Sequence, residues 1–188
     1  MRKLALIALA SSAAMVAVPA AAQDVTGTIN LTGSVAPKCL VLPGAGSTFG
    51  ETVAFGELAQ GDGTLRTDLA TTFGTKNYRV VCTTANPTIS VDSTALATAT
   101  SAPSGYDNSI DFQASVALTT TGTNNGPFAD DSSTAALSAT AIGSRLANNG
   151  SNNIAVTTSN YRTDNATDLL VAATDYAGSI VIVIAPGT

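Results

Sequence analysis

The two cysteines, Cys39 and Cys82, are the residues of this sequence whose type most directly suggests covalent chemistry. In an exported protein, two thiols are expected to join as a disulfide, and two free thiols are the alternative. The chain contains no histidine, which removes Ser-His-Asp and Cys-His catalysis and the usual zinc hydrolases. We therefore expect neither a metal site nor a bound cofactor.

The acidic residues are the other group whose side chains could bind a metal ion or take part in catalysis. Those that could supply calcium ligands are Asp62, Asp107, Asp111, Asp130 and Asp131. They lack the spaced oxygen ligands of an EF-hand loop, and we interpret them as solvated turn residues. A hydrolase would instead pair Asp130 with Asp164 or Asp168, but no pattern places these in a cleft, so no catalytic residue is predicted. A sugar-binding surface would use Tyr106, Tyr161 and Tyr176.

The first 22 residues have the pattern of a secretory signal peptide. Arg2 and Lys3 precede an apolar stretch over residues 4–18, and residues 20–22 fit an A-x-A cleavage site. A membrane anchor is the alternative, but the apolar run is short for a span and Pro19 interrupts its end. We expect export through the inner membrane to the periplasm, and then to the cell surface or the exterior.

The composition limits the partners. Six basic residues remain after removal of the leader, against thirteen acidic residues, so no basic patch exists for nucleic acid. Aromatic residues make up 5% of the chain and charged residues 11%. Such a chain is typical of a neutral, strand-rich extracellular protein, and its few aromatics disfavour the alternative of an outer-membrane barrel.

Short segments of alternating apolar and polar residues predict an all-β fold. The predicted strands cover residues 39–42, 53–58, 76–84, 88–93, 109–118 and 154–162, and a last strand lies within residues 174–188. Glycine and asparagine turns separate them at fairly even spacing, as in a β-sandwich. Residues 94–108 read as a loop, and residues 129–147 could carry a helical turn or two behind an N-cap at residues 130–133.

The start of the mature chain, "VTGTINLTGSV" at residues 25–35, alternates with a period of two. Every even position is polar, and the odd positions are Val25, Gly27, Ile29, Leu31, Gly33 and Val35. This pattern predicts a strand with one buried face. The pattern alone leaves open whether the strand completes its own domain or another subunit.

The last strand is the most apolar of the sequence. Ile180, Ile182 and Ile184 alternate with Val181 and Val183, so both faces are apolar and burial on both sides is expected. Such a strand either borders a groove that receives another strand or a chaperone, or lies in the centre of the core.

Several of these segments, taken in order, resemble a known family. The alternating strand precedes the first cysteine, "VAFGEL" and "YRVVC" follow, then "TISVDS", and "DYAGSIVIVI" closes the chain. This arrangement resembles the spore coat protein U domain, which is shared by subunits of archaic chaperone–usher pili. In that family the two cysteines bridge early strands.

The resemblance implies an immunoglobulin-like β-sandwich that lacks one strand and is completed by a donor strand. Residues 23–36 would be the donor-strand extension and residues 37–188 the pilin-like domain. The implied function is a structural subunit of a surface filament in adhesion or biofilm formation. Its partners would be copies of itself or related subunits, a periplasmic chaperone and an outer-membrane usher. The alternative is a self-complemented surface or adhesin protein with no filament role.

Overall fold

The computed structural model of the protein describes residues 26–42 and 50–187. Contacts between residues divide the chain into two units between Ser34 and Val35. The first unit is described over residues 26–34, which contain no helix or strand, and the second unit contains the strands given below. The predicted signal peptide lies outside the described residues.

The second unit is almost entirely built from strands. They are β1 (Cys39–Leu42), β2 (Lys76–Cys82), β3 (Thr88–Ala97), β4 (Tyr106–Asp107), β5 (Ser109–Leu118), β6 (Phe128–Asp131), β7 (Leu137–Ala141), β8 (Ile154–Arg162), β9 (Leu169–Leu170) and β10 (Ala177–Ala185). Among the described residues the only helix is α1 (Leu69–Phe73). The predicted all-β class is confirmed. No helix in the described ranges has the length and hydropathy needed to cross a membrane.

Eight of the strands form one hydrogen-bonded sheet that bends back towards itself. Its main path runs β1-β2-β8-β5-β3-β10, while β6 pairs with β5 and β7 pairs with β3. All pairings in this sheet are antiparallel, and β4 and β9 form a separate parallel pair. β5 pairs with β8 along most of its length, but with β3 only at Ser109 and Ile110, so the chain of strands turns there.

The buried side chain of Asp130 connects β6 with β3 and β7. Asp130 on β6 accepts hydrogen bonds from the backbone N–H groups of Ser93 on β3, at 2.7 Å, and of Leu137 on β7, at 3.0 Å. A buried polar side chain is tolerated when hydrogen bonds satisfy it, and backbone donors of two strands do so here. The side chain of Asp130 thus joins strands whose backbones do not pair with β6.

Most of the buried hydrophobic residues form one cluster, which includes side chains of β2, β3, β5, β6 and β8. The predicted inward faces are buried: Tyr78, Val80 and Cys82 on β2, Ile89 and Val91 on β3, and Ile110, Phe112, Ala114, Val116 and Leu118 on β5. Successive side chains of a strand point to opposite faces, so a period of two in the sequence becomes one buried face. The alternation predicted for these three strands is confirmed.

One predicted strand is wrong, and a helical turn that the sequence allowed does not form. Residues 53–58 form no strand, and the backbone turns at Gly56 with φ of +72°, a conformation that favours glycine. Residues 129–147 contain β6 and β7, with no helical turn. Asp131 Oδ1 accepts hydrogen bonds from the N–H and hydroxyl of Ser133, which closes a tight turn between strands at the position where the sequence allowed a helix N-cap.

β3 is longer than predicted. It continues to Ala97, and β4 follows at residues 106–107, so both ends of the expected loop at residues 94–108 are strand. β10 pairs with β3 as far as Ala177↔Ala97, and this partner keeps the Ala- and Thr-rich end of β3 extended. Tertiary pairing therefore overrides a weak local pattern.

Candidate functional site

β10 forms one edge of the eight-stranded sheet. It pairs with β3 from Ala177 to Ala185, and no strand in the described part of the chain pairs with its other side. Ile180, Ile182 and Ile184 are half-buried against the core, which is the face that the sequence predicts for a groove-lining strand. An edge strand presents free N–H and C=O groups to any further strand.

The opposite face of β10 is not buried. Val181 and Val183 are 50% and 51% exposed, so the expectation that both faces of this strand are buried is wrong. The alternative of a central core strand is also wrong, because β10 ends the strand path. An apolar run on both faces does not by itself distinguish a central strand from an edge strand whose outer face meets solvent or a partner.

A groove of about 500 Å³ lies beside the first half of β10, and we call it the edge groove. Ile180 and Ile182 form part of one wall, and Lys76 and Tyr78 of β2 form part of another. Other residues along it are mainly apolar: Val53, Phe55, Phe73, Leu96, Phe112 and Val156. The groove therefore combines an unpaired strand edge with an apolar lining.

Aromatic rings pack at the base of the edge groove. Phe112 stacks on Tyr161 with ring centroids 5.5 Å apart, and Phe55 meets Tyr161 edge-on at 5.9 Å. The Tyr161 hydroxyl donates a hydrogen bond to Thr158 Oγ1 at 2.8 Å. Burial raises the pKa of Tyr161, so this ring remains a neutral, apolar surface with its hydroxyl satisfied.

A small polar cluster borders the same groove. The Tyr78 hydroxyl donates a hydrogen bond to Glu51 Oε1 at 2.8 Å, and Lys76 Nζ lies 3.7 Å from Glu51 Oε2. Burial, followed by the bond to Glu51, raises the pKa of Tyr78 to about 12. Lys76 Nζ also lies 5.7 Å from the centre of the Phe73 ring. These contacts fix residue 51 beside β2.

The predicted donor segment is exposed over the part that the structure describes. Ile29, Leu31 and Val35 are 87%, 91% and 79% exposed. Gly27 and Gly33 have open space where a side chain would lie. Val25, the first residue of the predicted pattern, is outside the described residues. Three large apolar side chains that belong to the same face of the predicted strand are thus exposed to solvent.

The disulfide predicted for the two cysteines is confirmed. Cys39 and Cys82 are bonded and are register partners on β1 and β2. Next to it, Thr83 N–H donates to the Lys38 carbonyl at 2.9 Å, and the Thr83 hydroxyl donates to the Ala36 carbonyl at 3.1 Å. A disulfide indicates an oxidising, non-cytoplasmic environment.

Most of the acidic residues weighed as ligands or catalysts have structural partners for their carboxylates. Asp62 accepts from Thr64 within its turn, Asp107 accepts from the Ser109 and Asp164 backbone N–H groups, Asp111 accepts from Ser132, and Asp168 accepts from Asn165. Asp131 forms an ion pair with Arg162 at 2.6 Å. No group of three or more acidic or cysteine side chains in the described ranges is arranged to hold a metal ion.

The three tyrosines weighed as a sugar-binding surface occupy different structural settings. Tyr106 is exposed on β4, Tyr161 lies in the edge groove, and the Tyr176 hydroxyl donates to the Val171 carbonyl at 3.0 Å. A sugar platform requires rings presented together to solvent, and Tyr161 packs instead on Phe112.

Sequence reasoning missed Tyr161 as a groove residue. On β8 the side chains of Ile154, Val156 and Thr158 point inward. If this alternation continued, the side chain of Tyr161 would lie on the outer face. Asn160 has φ of +54°, and the register against β5 shifts between Asp111 and Gln113, so the phase changes before Tyr161. Asparagine tolerates this left-handed conformation better than most residues, and "SNY" is the only local signal for the change.

Comparison of the chain with models of known protein families, with curated proteins and with solved structures finds no match.

Proposed function

We propose that this protein is a structural subunit of a surface filament, assembled by donor-strand complementation, as its resemblance to the spore coat protein U domain implies. In this proposal the second unit is an immunoglobulin-like β-sandwich that lacks one strand. The single observation that carries the proposal is that one chain contains both an exposed, alternating apolar segment and an unpaired sheet edge over an apolar groove.

The two features have complementary physical requirements. An apolar groove beside a free strand edge is an aggregation hazard unless another strand covers it. An added strand satisfies the main-chain groups of the edge, while alternate side chains enter the groove. Burying Ile29, Leu31 and Val35 would contribute about 1.5–3 kcal/mol for each fully buried side chain. Gly27 and Gly33 would let the added strand approach the acceptor backbone closely.

The partners in this proposal are copies of this chain or related subunits. A periplasmic chaperone would cover the edge groove before assembly, and an outer-membrane usher would pass subunits to the surface. The signal peptide over residues 1–22 would supply export, which agrees with the disulfide and its oxidising environment. The proposal requires neither a catalytic residue nor a cofactor.

The test is deletion of residues 23–34 from the mature protein. We expect the deleted chain to keep its fold and its chaperone complex, but to form no fibres by electron microscopy or size-exclusion chromatography. A matched pair of full-length variants sharpens the test. Ile29→Thr with Leu31→Thr removes the apolar face and should abolish fibres, while Thr28→Ser with Asn30→Ser alters only the polar face and should not.

Two outcomes would contradict the proposal. One is a wild-type mature chain that stays a compact monomer, forms no fibres with or without its chaperone, and protects amides 26–35 from hydrogen exchange. That result would support the self-complemented alternative. The other is fibres that form equally well after the deletion.

A further inference from the structure

Residues 51–57, which lie between β1 and α1, run along the edge groove without forming a strand. Residues 51–57 have irregular backbone, yet Val53 and Phe55 are half-buried and pack against the core cluster. Their spacing of two puts both side chains on one side of an extended chain. We call residues 51–57 the strap.

The strap separates two cavities. Residues 51–53 and Phe55 line the edge groove, and residues 53–59 line a second cavity of about 540 Å³ whose far side includes residues 170–174. The strap is therefore a shared wall, and the Phe55 ring extends from it to Tyr161 at the base of the groove. Without the strap, this aromatic base would open to both cavities.

Side chains hold the strap at its two ends. At the first end, Glu51 contacts Tyr78 and Lys76. At the other end, Arg66 Nη1 donates to the carbonyls of Phe55, at 3.2 Å, and Glu57, at 2.6 Å.

Between these anchors the strap lacks the backbone pairing of a strand. Within the described ranges, no backbone N–H of residues 52–57 bonds to a backbone carbonyl. Segments with few backbone hydrogen bonds open at lower free energy than paired strands.

We infer that the strap is a built-in placeholder that covers the aromatic base of the edge groove in the free subunit and moves away when a donor strand enters. This inference rests on the proposed function, because the strand that displaces the strap is the leading segment of a second copy of this chain. The strap buries only two large apolar side chains and forms no ladder. A donor strand would supply both a full apolar face and paired backbone, so it would compete successfully for the same space.

The placeholder also sets how readily the groove accepts a strand. When a binding-competent state is only partly populated, the apparent affinity falls by that fraction. Weakening an anchor that holds only the closed strap should therefore increase uptake of a donor. Arg66 is such an anchor, because its side chain bonds to strap carbonyls and to Asp68 and is not among the residues that line the groove.

The experiment uses the monomeric mature chain and a synthetic peptide with the sequence of residues 24–36. The chain contains no tryptophan, so Phe55→Trp places a single fluorescent reporter on the strap. We expect peptide binding to shift the emission of this reporter to longer wavelength and to raise its quenching by acrylamide. Tyr106→Trp, at the exposed residue of β4, is the matched control and should change little.

A second measurement avoids altering the strap. Hydrogen exchange of residues 51–57 in the wild-type chain should speed up when the peptide binds, while exchange of β10 slows. Arg66→Met should increase the rate of peptide uptake about tenfold, because it removes the hydrogen bonds that close the strap. Arg145→Met, at an exposed position, should leave the rate unchanged.

The outcomes separate the two proposals. If the peptide binds and slows exchange in β10, but the Phe55→Trp reporter and the amides of residues 51–57 stay as protected as before, the placeholder is wrong and the filament proposal stands. If neither the wild-type chain nor Arg66→Met binds the peptide, both proposals fail. If Arg66→Met binds and the wild type does not, the strap is the barrier that we infer.

Discussion

The side chain of Asn153 forms hydrogen bonds with both backbone groups of Val80. Asn153 Oδ1 accepts from the Val80 N–H at 2.9 Å, and Asn153 Nδ2 donates to the Val80 carbonyl at 2.7 Å. Backbone pairing between β2 and β8 ends at Tyr78↔Ile154, so the amide of Asn153 continues the ladder for one more position. Nδ2 also donates to the Ala147 carbonyl at 2.7 Å.

Replacing Asn153 should therefore be costly. Asn153→Ala leaves the buried N–H and carbonyl of Val80 without partners, and each unsatisfied buried group costs about 1–3 kcal/mol. We expect a loss of about 2–4 kcal/mol in the free energy of unfolding, measured by urea denaturation. Asn152→Ala, at the exposed neighbour, should change it by less than about 0.5 kcal/mol. Equal effects of the two variants would mean that the hydrogen bonds from the Asn153 side chain to Val80 do not stabilise the sheet.

The disulfide should stabilise the fold mainly through the unfolded chain. Cys39 and Cys82 are 43 residues apart, and a loop of this length corresponds to about 4 kcal/mol on the chain-entropy model. We expect the Cys39→Ala, Cys82→Ala double variant to unfold at a lower urea concentration than the wild type. Dithiothreitol should lower the wild-type midpoint to a similar value and leave the double variant unchanged. A wild-type midpoint insensitive to reduction would contradict this account.

Sequence periodicity predicted the paired strands well. β5 has the predicted bounds, and all five of its predicted inward residues are buried, because a regular strand converts a period of two directly into one buried face. β10 shows the limit of the same reasoning. Its isoleucines face the core as expected, but the exposure of Val181 and Val183 depends on where β10 lies in the strand order, which local pattern does not encode.

The missed parts of the edge groove have a similar cause. Phe55 sits in a segment that alternates like a strand, yet its neighbours in space are Tyr161 and the side chain of Arg66, so no ladder forms. Tyr161 reaches the groove only because Asn160 adopts a left-handed backbone conformation. The positions of Phe55 and Tyr161 both depend on contacts with residues distant in sequence. A local sequence pattern does not specify which distant residues become neighbours.

The edge groove predicts different consequences for adjacent residues of β10. Ile182→Thr keeps a β-branched side chain but removes apolar surface from the groove wall, so we expect about tenfold weaker binding of the peptide of residues 24–36. Val183→Thr makes a matched change on the exposed face and should leave binding within about twofold. Isothermal titration of both variants, after circular dichroism confirms their fold, measures the difference. Equal weakening would place the peptide away from the groove-facing side of β10.

The ion pair between Asp131 and Arg162 predicts how stability depends on pH. The hydrogen bond from Arg162 lowers the pKa of Asp131 from 3.8 to about 2. Because the folded pKa lies below the unfolded one, the stabilisation is fully present above about pH 4 and is lost as the pH falls towards 2. Asp131→Asn should thus reduce the free energy of unfolding at pH 7 by up to about 1 kcal/mol, as expected for a partly exposed pair.

The measurement is a series of urea titrations of the wild type and Asp131→Asn between pH 7 and pH 2. The difference between the two chains should shrink as the carboxylate of the wild type becomes protonated, since a protonated aspartate and an asparagine are both neutral. Arg162→Met should give the same pH profile, and high salt should reduce the difference at pH 7 because part of the pair is exposed to solvent. A difference that stays constant down to pH 2 would show that the negative charge of Asp131 does not contribute to stability.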